Sequence, residues 1–298
     1  IKIFVMGDNV WRSENEWPLA RTQYINYYFH GGGSANSLNG DGALDESPPG
    51  TEPPDSYIYD PDDPVLGSWY DAPYDQRPVE ERPDVLVFTS PVLTQDVEVT
   101  GPVRVVLYAS SSAPDTDFTA KLVDVHPYGY AQNIVDGIIR ARYRDSVTDP
   151  TLIEPGRIYE YTIDLLSTSN VFKAGHRIRV DITSSNFPKF DRNPNTGHKF
   201  GEDAEIETAN NTIYHNATYP SHIGLPIIPR EAPPVHDIAV ASVTASPTTV
   251  TVSESVSITV VVANEGTEAE TFDVTACYGD AVIGTETVTK LTPRDYET

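Results

Sequence analysis

The chain holds one cysteine, Cys277, and one methionine, Met6, in 298 residues. A lone thiol closes no intramolecular disulfide, so a bridged secreted mini-domain is excluded, and so is a thiolate metal cluster. Lysine is scarce too: 20 basic residues face 44 acidic ones, a net charge of −24. A protein that grips phosphate backbones needs a cationic face. This one repels phosphates and anionic headgroups, which excludes nucleic acid as a partner. No run approaches the roughly 18 consecutive apolar residues of a spanning helix, so no transmembrane segment is expected.

Other absences concern chemistry. There is no Gly-x-Ser-x-Gly elbow to present a nucleophilic serine. The seven histidines, His30, His126, His176, His198, His215, His222 and His236, include no pair at zinc-helix spacing. No metal and no cofactor is expected. The opening Ile1–Met6 lacks the basic flank and cleavage site of a signal peptide. With Ile rather than Met first, the chain reads as a piece of a longer polypeptide.

What is present is β pattern. The hydrophobic share of 39% supports packed cores, and the length corresponds to about two domains. Ile1–Met6 reads as a strand, and Pro18 in a first helical turn predicts a helix over about 17–28. From Gly31 to Pro83 the chain turns to Gly, Pro, Asp and Ser, the signals of turns and extended loop. Beyond Pro83 the period becomes two. Ile178, Val180 and Ile182 alternate with Arg177, Arg179, Asp181 and Thr183, as in a half-buried strand. Tyr159, Tyr161, Ile163 and Leu165 repeat the pattern, and Val85–Thr89, Val103–Ser110, Phe118–Val125 and Ile138–Tyr143 add further runs. Many short strands with few helices predict an antiparallel sandwich or jelly roll.

Pro226 to Pro234 reads as a stiff linker. Alternation resumes at Val256–Val262 and Phe272–Tyr278, with Gly279-Asp280 suited to a two-residue hairpin. This predicts a second, small β-sandwich over 235–298.

Several clusters invite chemical readings. Asp60-Pro61-Asp62-Asp63 and Asp115-Thr116-Asp117 bunch carboxylates as hard cations require, though neither fits an EF-hand loop. His30-Gly31-Gly32-Gly33 has the composition of an oxyanion loop, but after a predicted helix it reads as a glycine-rich helix stop. His176, at a strand start, suits structural hydrogen bonding. Asn210-Asn211-Thr212 and Asn216-Ala217-Thr218 are glycosylation acceptors only in a suitable secreting cell. Arg140, Arg142 and Arg144 fall on one face of a predicted strand and are read as buried ion-pair partners, with a fork for a substrate carboxylate as the alternative.

Ordered motifs then point to a family. Val5-Met6-Gly7-Asp8-Asn9, Trp17-Pro18, Tyr59-Asp60-Pro61-Asp62-Asp63-Pro64 and Asp75-Gln76-Arg77-Pro78 come first. Asp115–Val125, Gly137–Arg144, Gly175–Val180, Ser184-Ser185-Asn186-Phe187-Pro188 and Pro220–Ile223 follow. Over about residues 1–230 the chain resembles the cocaine esterase (CocE/NonD) and Xaa-Pro dipeptidyl-peptidase family of serine hydrolases. The resemblance implies a mainly β fold: a jelly-roll β-sandwich of the galactose-binding-like kind over 31–230, preceded at 1–30 by the tail of an α/β-hydrolase domain. It implies partners in the same polypeptide, the upstream α/β-hydrolase and cap domains, and a small ester or amide substrate. The family's triad lies before Ile1, so no catalytic residue is assigned here. The loop Leu66-Gly67-Ser68-Trp69-Tyr70 corresponds to one that reaches the acyl pocket, making Trp69 and Tyr70 the expected pocket-lining residues. Residues 235–298 resemble the cell-adhesion-related CARDB module, an Ig-like sandwich, through His236-Asp237-Ile238-Ala239-Val240 and Val260–Gly266. That implies a secreted or surface location. The competing class is a stand-alone adhesive or carbohydrate- or protein-binding β protein.

Overall fold

The computed structural model describes residues 1–67, 74–199, 201, 204–230 and 236–298. They form two compact units, Ile1–Arg230 and Glu231–Thr298.

In the first unit β1 (Lys2–Val5) and β2 (Val10–Ser13) make a hairpin, followed by β3 (Gln23–His30), β4 (Ala43–Asp45) and β5 (Asp55–Tyr59). A single helical turn, α1 (Arg77–Glu80), precedes β6 (Leu86–Thr89), β7 (Val97–Ser111), β8 (Asp117–Val125) and β9 (Ala131–Arg140). The unit ends with β10 (Tyr159–Phe172), β11 (Arg177–Thr183), β12 (Ala209–Tyr214) and β13 (His222–Ile228). Hydrogen bonding runs β5-β12-β7-β13-β3-β4-β6-β11-β8-β9, with β10 also on β7. Every pairing is antiparallel except the short β4–β6 contact.

This sheet folds over on itself around one core. Val103, Val105 and Leu107 of β7 and Tyr161, Ile163 and Leu165 of β10 meet Phe118, Ala120 and Leu122 of β8 and Ile178, Val180 and Ile182 of β11. The jelly-roll-type β-sandwich expected from the alternating pattern is therefore the fold.

Three local expectations change. The stretch 17–28 is not a helix: residues 23–30 are β3, placed between β13 and β4. Ile25, Tyr27 and Phe29 turn inward at period two while Tyr24 and Asn26 are exposed, and the aromatic run Tyr27-Tyr28-Phe29 favours a pleated strand over the helix that Pro18 permitted. The large sheet thus begins before residue 31. The proline-rich stretch after Gly31 contains β4 and β5. Finally, β11 is buried on both faces, because Gln76, Glu80 and Asp84 cover its polar side: Arg179, Asp181 and Thr183 are all buried.

The second unit comprises β14 (Ile238–Ser246), β15 (Ser257–Asn264), β16 (Glu270–Tyr278), β17 (Ala281–Leu291) and β18 (Tyr296–Glu297). Sheets β14-β15-β18 and β16-β17 pack around Val262, Val288 and Leu291, and a cleft of about 610 Å³ opens between them. The Gly279-Asp280 hairpin forms, with Gly279 at φ +58°.

Candidate functional site

The residues that follow the expected pocket loop, from Gln76 to Glu80, lie on the outer face of β8 and β11. Pro78 lies in the first turn of α1, where its fixed φ is tolerated. Val65, Val79, Val85 and Val87 form a small apolar cluster of their own. Under that cover the outward residues of β8 and β11 meet a polar layer. Lys121 Nζ donates to Gln76 Oε1 at 2.9 Å, and Arg179 donates to Glu80 Oε2 at 2.5 Å and to Thr89 Oγ1 at 2.8 Å. Among the described residues neither Asp181 carboxylate oxygen has a hydrogen-bond partner. Burial lifts Glu80 to about 8, helped by the Asp181 charge and opposed by Arg179. Burial likewise lifts Asp181 to about 6 against Arg179 and Lys121.

Residues on either side of 68–73 are pinned to the sandwich. Gly67 N–H donates to the Phe187 carbonyl at 2.7 Å, Phe187 N–H to Val65 at 2.9 Å, and Val65 N–H to Ser185 Oγ at 2.8 Å. At the other end Gln76 N–H donates to Ala131 at 2.8 Å, and Asp75 forms an isolated bridge with Gln132 and pairs with Arg77 at 2.5 Å. Asn186 Nδ2 donates to Asp136 at 3.0 Å, and Lys189 pairs with the same carboxylate. The motif Ser184–Pro188 and the start of β9 together anchor the loop. Trp69 and Tyr70 themselves lie outside the described residues.

The three arginines pair with carboxylates, as the ion-pair reading expected. Arg140 pairs with Asp117 at 2.8 Å and Asp191 at 3.1 Å, and Arg142 pairs with Asp115 at 2.8 Å. Arg144 pairs with Asp145 at 3.2 Å. Only Arg140 is on a strand, since Ala141–Tyr143 forms a 3₁₀ turn. Asn193 Nδ2 bridges Asp115 and Asp117 at 3.0 and 2.8 Å. That motif is thus a neutralised buried network, and Asp62 and Asp63 are exposed and face Arg192 and Arg82.

His30 ends a strand, not a helix, and the glycine amides after it are committed. Gly31 N–H donates to Glu52 at 3.1 Å and Gly32 N–H to Asp41 at 2.9 Å, so no oxyanion pocket is free there. Glu52 also meets His30 at 2.9 Å and His215 at 3.3 Å, and fully buried His215 contacts fully buried Asp55 at 2.7 Å. Sequence reading missed this His–carboxylate chain because Asp55 and His215 are 160 positions apart. His176 makes the structural hydrogen bond expected of it, to Asp124 at 2.8 Å.

Residues 1–224 match the model of the X-Pro dipeptidyl-peptidase C-terminal non-catalytic domain. The chain belongs to this family. As a non-catalytic domain of the CocE/NonD-type hydrolases, it is 52% identical over 240 residues to the cocaine esterase of Rhodococcus sp. (strain MB1 Bresler), covering 77% of this chain and 42% of that protein. Among solved structures it is similar to an aminopeptidase from a marine sediment archaeon, Thaumarchaeota archaeon. The TM-score is 0.69 at 30% identity, over 76% of this chain and 40% of that one. An α-amino acid ester hydrolase gives a TM-score of 0.68 at 29% identity, with the same coverage. The chain thus spans about two fifths of such relatives. The non-catalytic domain accounts for the motifs of the first unit, and the match ends before the second.

Proposed function

We propose that this chain is the C-terminal region of a serine acyl hydrolase that cleaves a small ester through an acyl-enzyme. The α/β-hydrolase and cap domains of the same polypeptide supply the triad. The observation that carries this reading is the 52% identity to an esterase over 240 residues. It favours an ester over an Xaa-Pro amide as substrate. The role of the sandwich is to hold the loop between Gly67 and Tyr74 against the pocket, with Trp69 and Tyr70 as apolar lining. The double anchoring of that loop on Phe187 and Ala131 supports it.

The test is steady-state kinetics of the full-length protein and its Trp69→Ala variant with a p-nitrophenyl ester and an Xaa-Pro p-nitroanilide. The expected result is ester turnover, with KM raised several-fold in the variant at an unchanged melting temperature. Unchanged kinetics would remove Trp69 from the pocket, and hydrolysis of the anilide alone would replace the ester by a peptide. Serine-dependent turnover by residues 1–298 alone would overturn the division of labour.

For the second unit, a CARDB-like spacer or adhesion module on a secreted or surface protein is the reading. Its own core and, over 235–298, its 10 acidic against 2 basic residues support a solvated module that does no chemistry. Fractionation of the producing cells with an antibody against the unit tests this; recovery only from the cytosol counts against it.

A further inference from the structure

At one end of the sandwich the core face of the sheet changes from apolar side chains to aspartate and histidine. Along β8 the inward positions run Phe118, Ala120, Leu122, then Asp124, and His126 continues the same face two residues on. On the antiparallel neighbour β11 the inward positions are Ile182, Val180, Ile178, and the next is His176. The register pairs Ile178 with Asp124 and Arg177 with Val125, which sets His176 opposite His126. The two rings lie 4.4 Å apart by their centroids. One ligand atom from each of Asp124, His126 and His176 lies within 4.8 Å of the others.

We propose that Asp124, His126 and His176 form a binding site for a divalent transition metal, with zinc as its ion. Two imidazoles and one carboxylate are the ligand set of borderline-soft cations rather than of calcium or magnesium. Zinc bonds of about 2.0–2.2 Å draw such atoms to roughly 3–3.5 Å apart, a contraction that side-chain rotation supplies.

The surroundings complete the argument. A ligating histidine normally donates its second N–H to a carboxylate or carbonyl, which fixes the tautomer. His126 Nε2 has such a partner in Gln132 Oε1 at 3.1 Å, leaving Nδ1 with its lone pair. His176 Nδ1 points at Asp124 Oδ1 at 2.8 Å, leaving Nε2. Asp124 is 4% exposed, and the rings of Tyr128 and Tyr130 each stand 5.3 Å from that of His126. The carboxylate is held in a nearly dry pocket while the imidazoles reach the surface, and solvent water can fill the fourth position. Such a site clamps the β8–β9 turn to the start of β11. It lies outside the polar layer beneath α1, so its failure and that of the proposed pocket loop are separable.

The experiment is titration of the intact 298-residue chain with zinc chloride by calorimetry, with magnesium and calcium chlorides in parallel. Cobalt(II) absorption and melting temperature serve as second readouts. The expected result is one zinc per chain, a raised melting temperature, visible cobalt bands and no magnesium or calcium heat. Zinc binding should weaken by about tenfold or more in both His126→Gln and His176→Gln. His126 lies past the end of β8, so His126→Gln keeps a folded comparison if His176→Gln does not fold. No saturable zinc binding, equal affinity in the folded His126→Gln chain, or calcium binding as tight as zinc would each overturn the proposal.

Discussion

Gly137 on β9 lies so close to the Asp164 carbonyl of β10 that a Cβ would sit 2.2 Å from that oxygen. The contact is between two backbones, so no side chain can swing away. It is where β9, at the end of one half of the sheet, closes against β10 in the other half. Next to it β10 bulges, with a register shift between Asp164 and Ser167 and Leu166 at φ +63°.

Gly137→Ala should therefore lower stability by about 1–3 kcal/mol through overpacking. At roughly 2–4 °C per kcal/mol for a unit of this size, the first thermal transition followed by circular dichroism should fall by several degrees. An unchanged transition would mean that β9 and β10 are not held at this separation.

The Arg140–Asp117 pair closes the far end of β9. Asp117 is fully buried, and that burial lifts its carboxyl to about 6 although Arg140 and Asn193 pull it down. Arg140→Met leaves Asp117 buried beside Asn193 and the Asp115 carboxylate, which should cost about 3–5 kcal/mol. The double variant Arg140→Met, Asp117→Leu removes both charges and should recover most of that loss. Urea unfolding of the two variants checks this; a double variant no better than the single one refutes it.

Under α1 two carboxyls share a dry layer with Arg179 and Lys121. In the unfolded chain Glu80 and Asp181 titrate near 4.5 and 3.8, and in the fold near 8 and 6. The native state binds more protons across that window, so this layer loses stability as pH rises from about 4 to about 8. Asp181→Asn removes one charge with little change of shape. Its stability relative to the parent should rise from about pH 4 to about pH 6 in urea unfolding, by up to about 1.4 kcal/mol per pH unit. A constant difference would show that the layer is not where the pH dependence arises.

The strands of the jelly roll were legible because alternation reports burial of one face, and Tyr159–Leu165 and Ile178–Ile182 do supply the core. The same logic failed for Arg179 and Asp181, whose burial comes from a separate segment laid over them. It failed for residues 17–28 because a proline permitted at a helix start weighed more than the aromatic run that forms β3. Among candidate sites, the Asp115–Asp117 and Arg140–Arg142 clusters were visible as charge, but their pairing needed the β8–β9 register. The Asp124–His126–His176 triangle combines a two-residue spacing across the end of β8 with a partner 50 residues on. Only the first half of that pattern exists in sequence.

His215 and Asp55 form a fully enclosed pair, both side chains buried at 2.7 Å. Burial pulls the imidazole down, but hydrogen bonds to Asp55 and Glu52 outweigh it and hold its pKa above 6.5. A raised histidine contributes stability that is fully present below its unfolded value of 6.5 and is lost as pH rises through the folded value. His215→Gln should cost about 3–5 kcal/mol near pH 6, because Asp55 keeps its burial and loses its counter-charge. The gap to the parent should narrow above pH 6.5 as the parent's imidazole deprotonates. Unfolding curves at pH 6 and pH 9 decide the matter. A gap of equal size at both would assign His215 a neutral packing role and would leave Glu52 and Asp55 to be balanced by backbone amides such as Gly31 and Ala35.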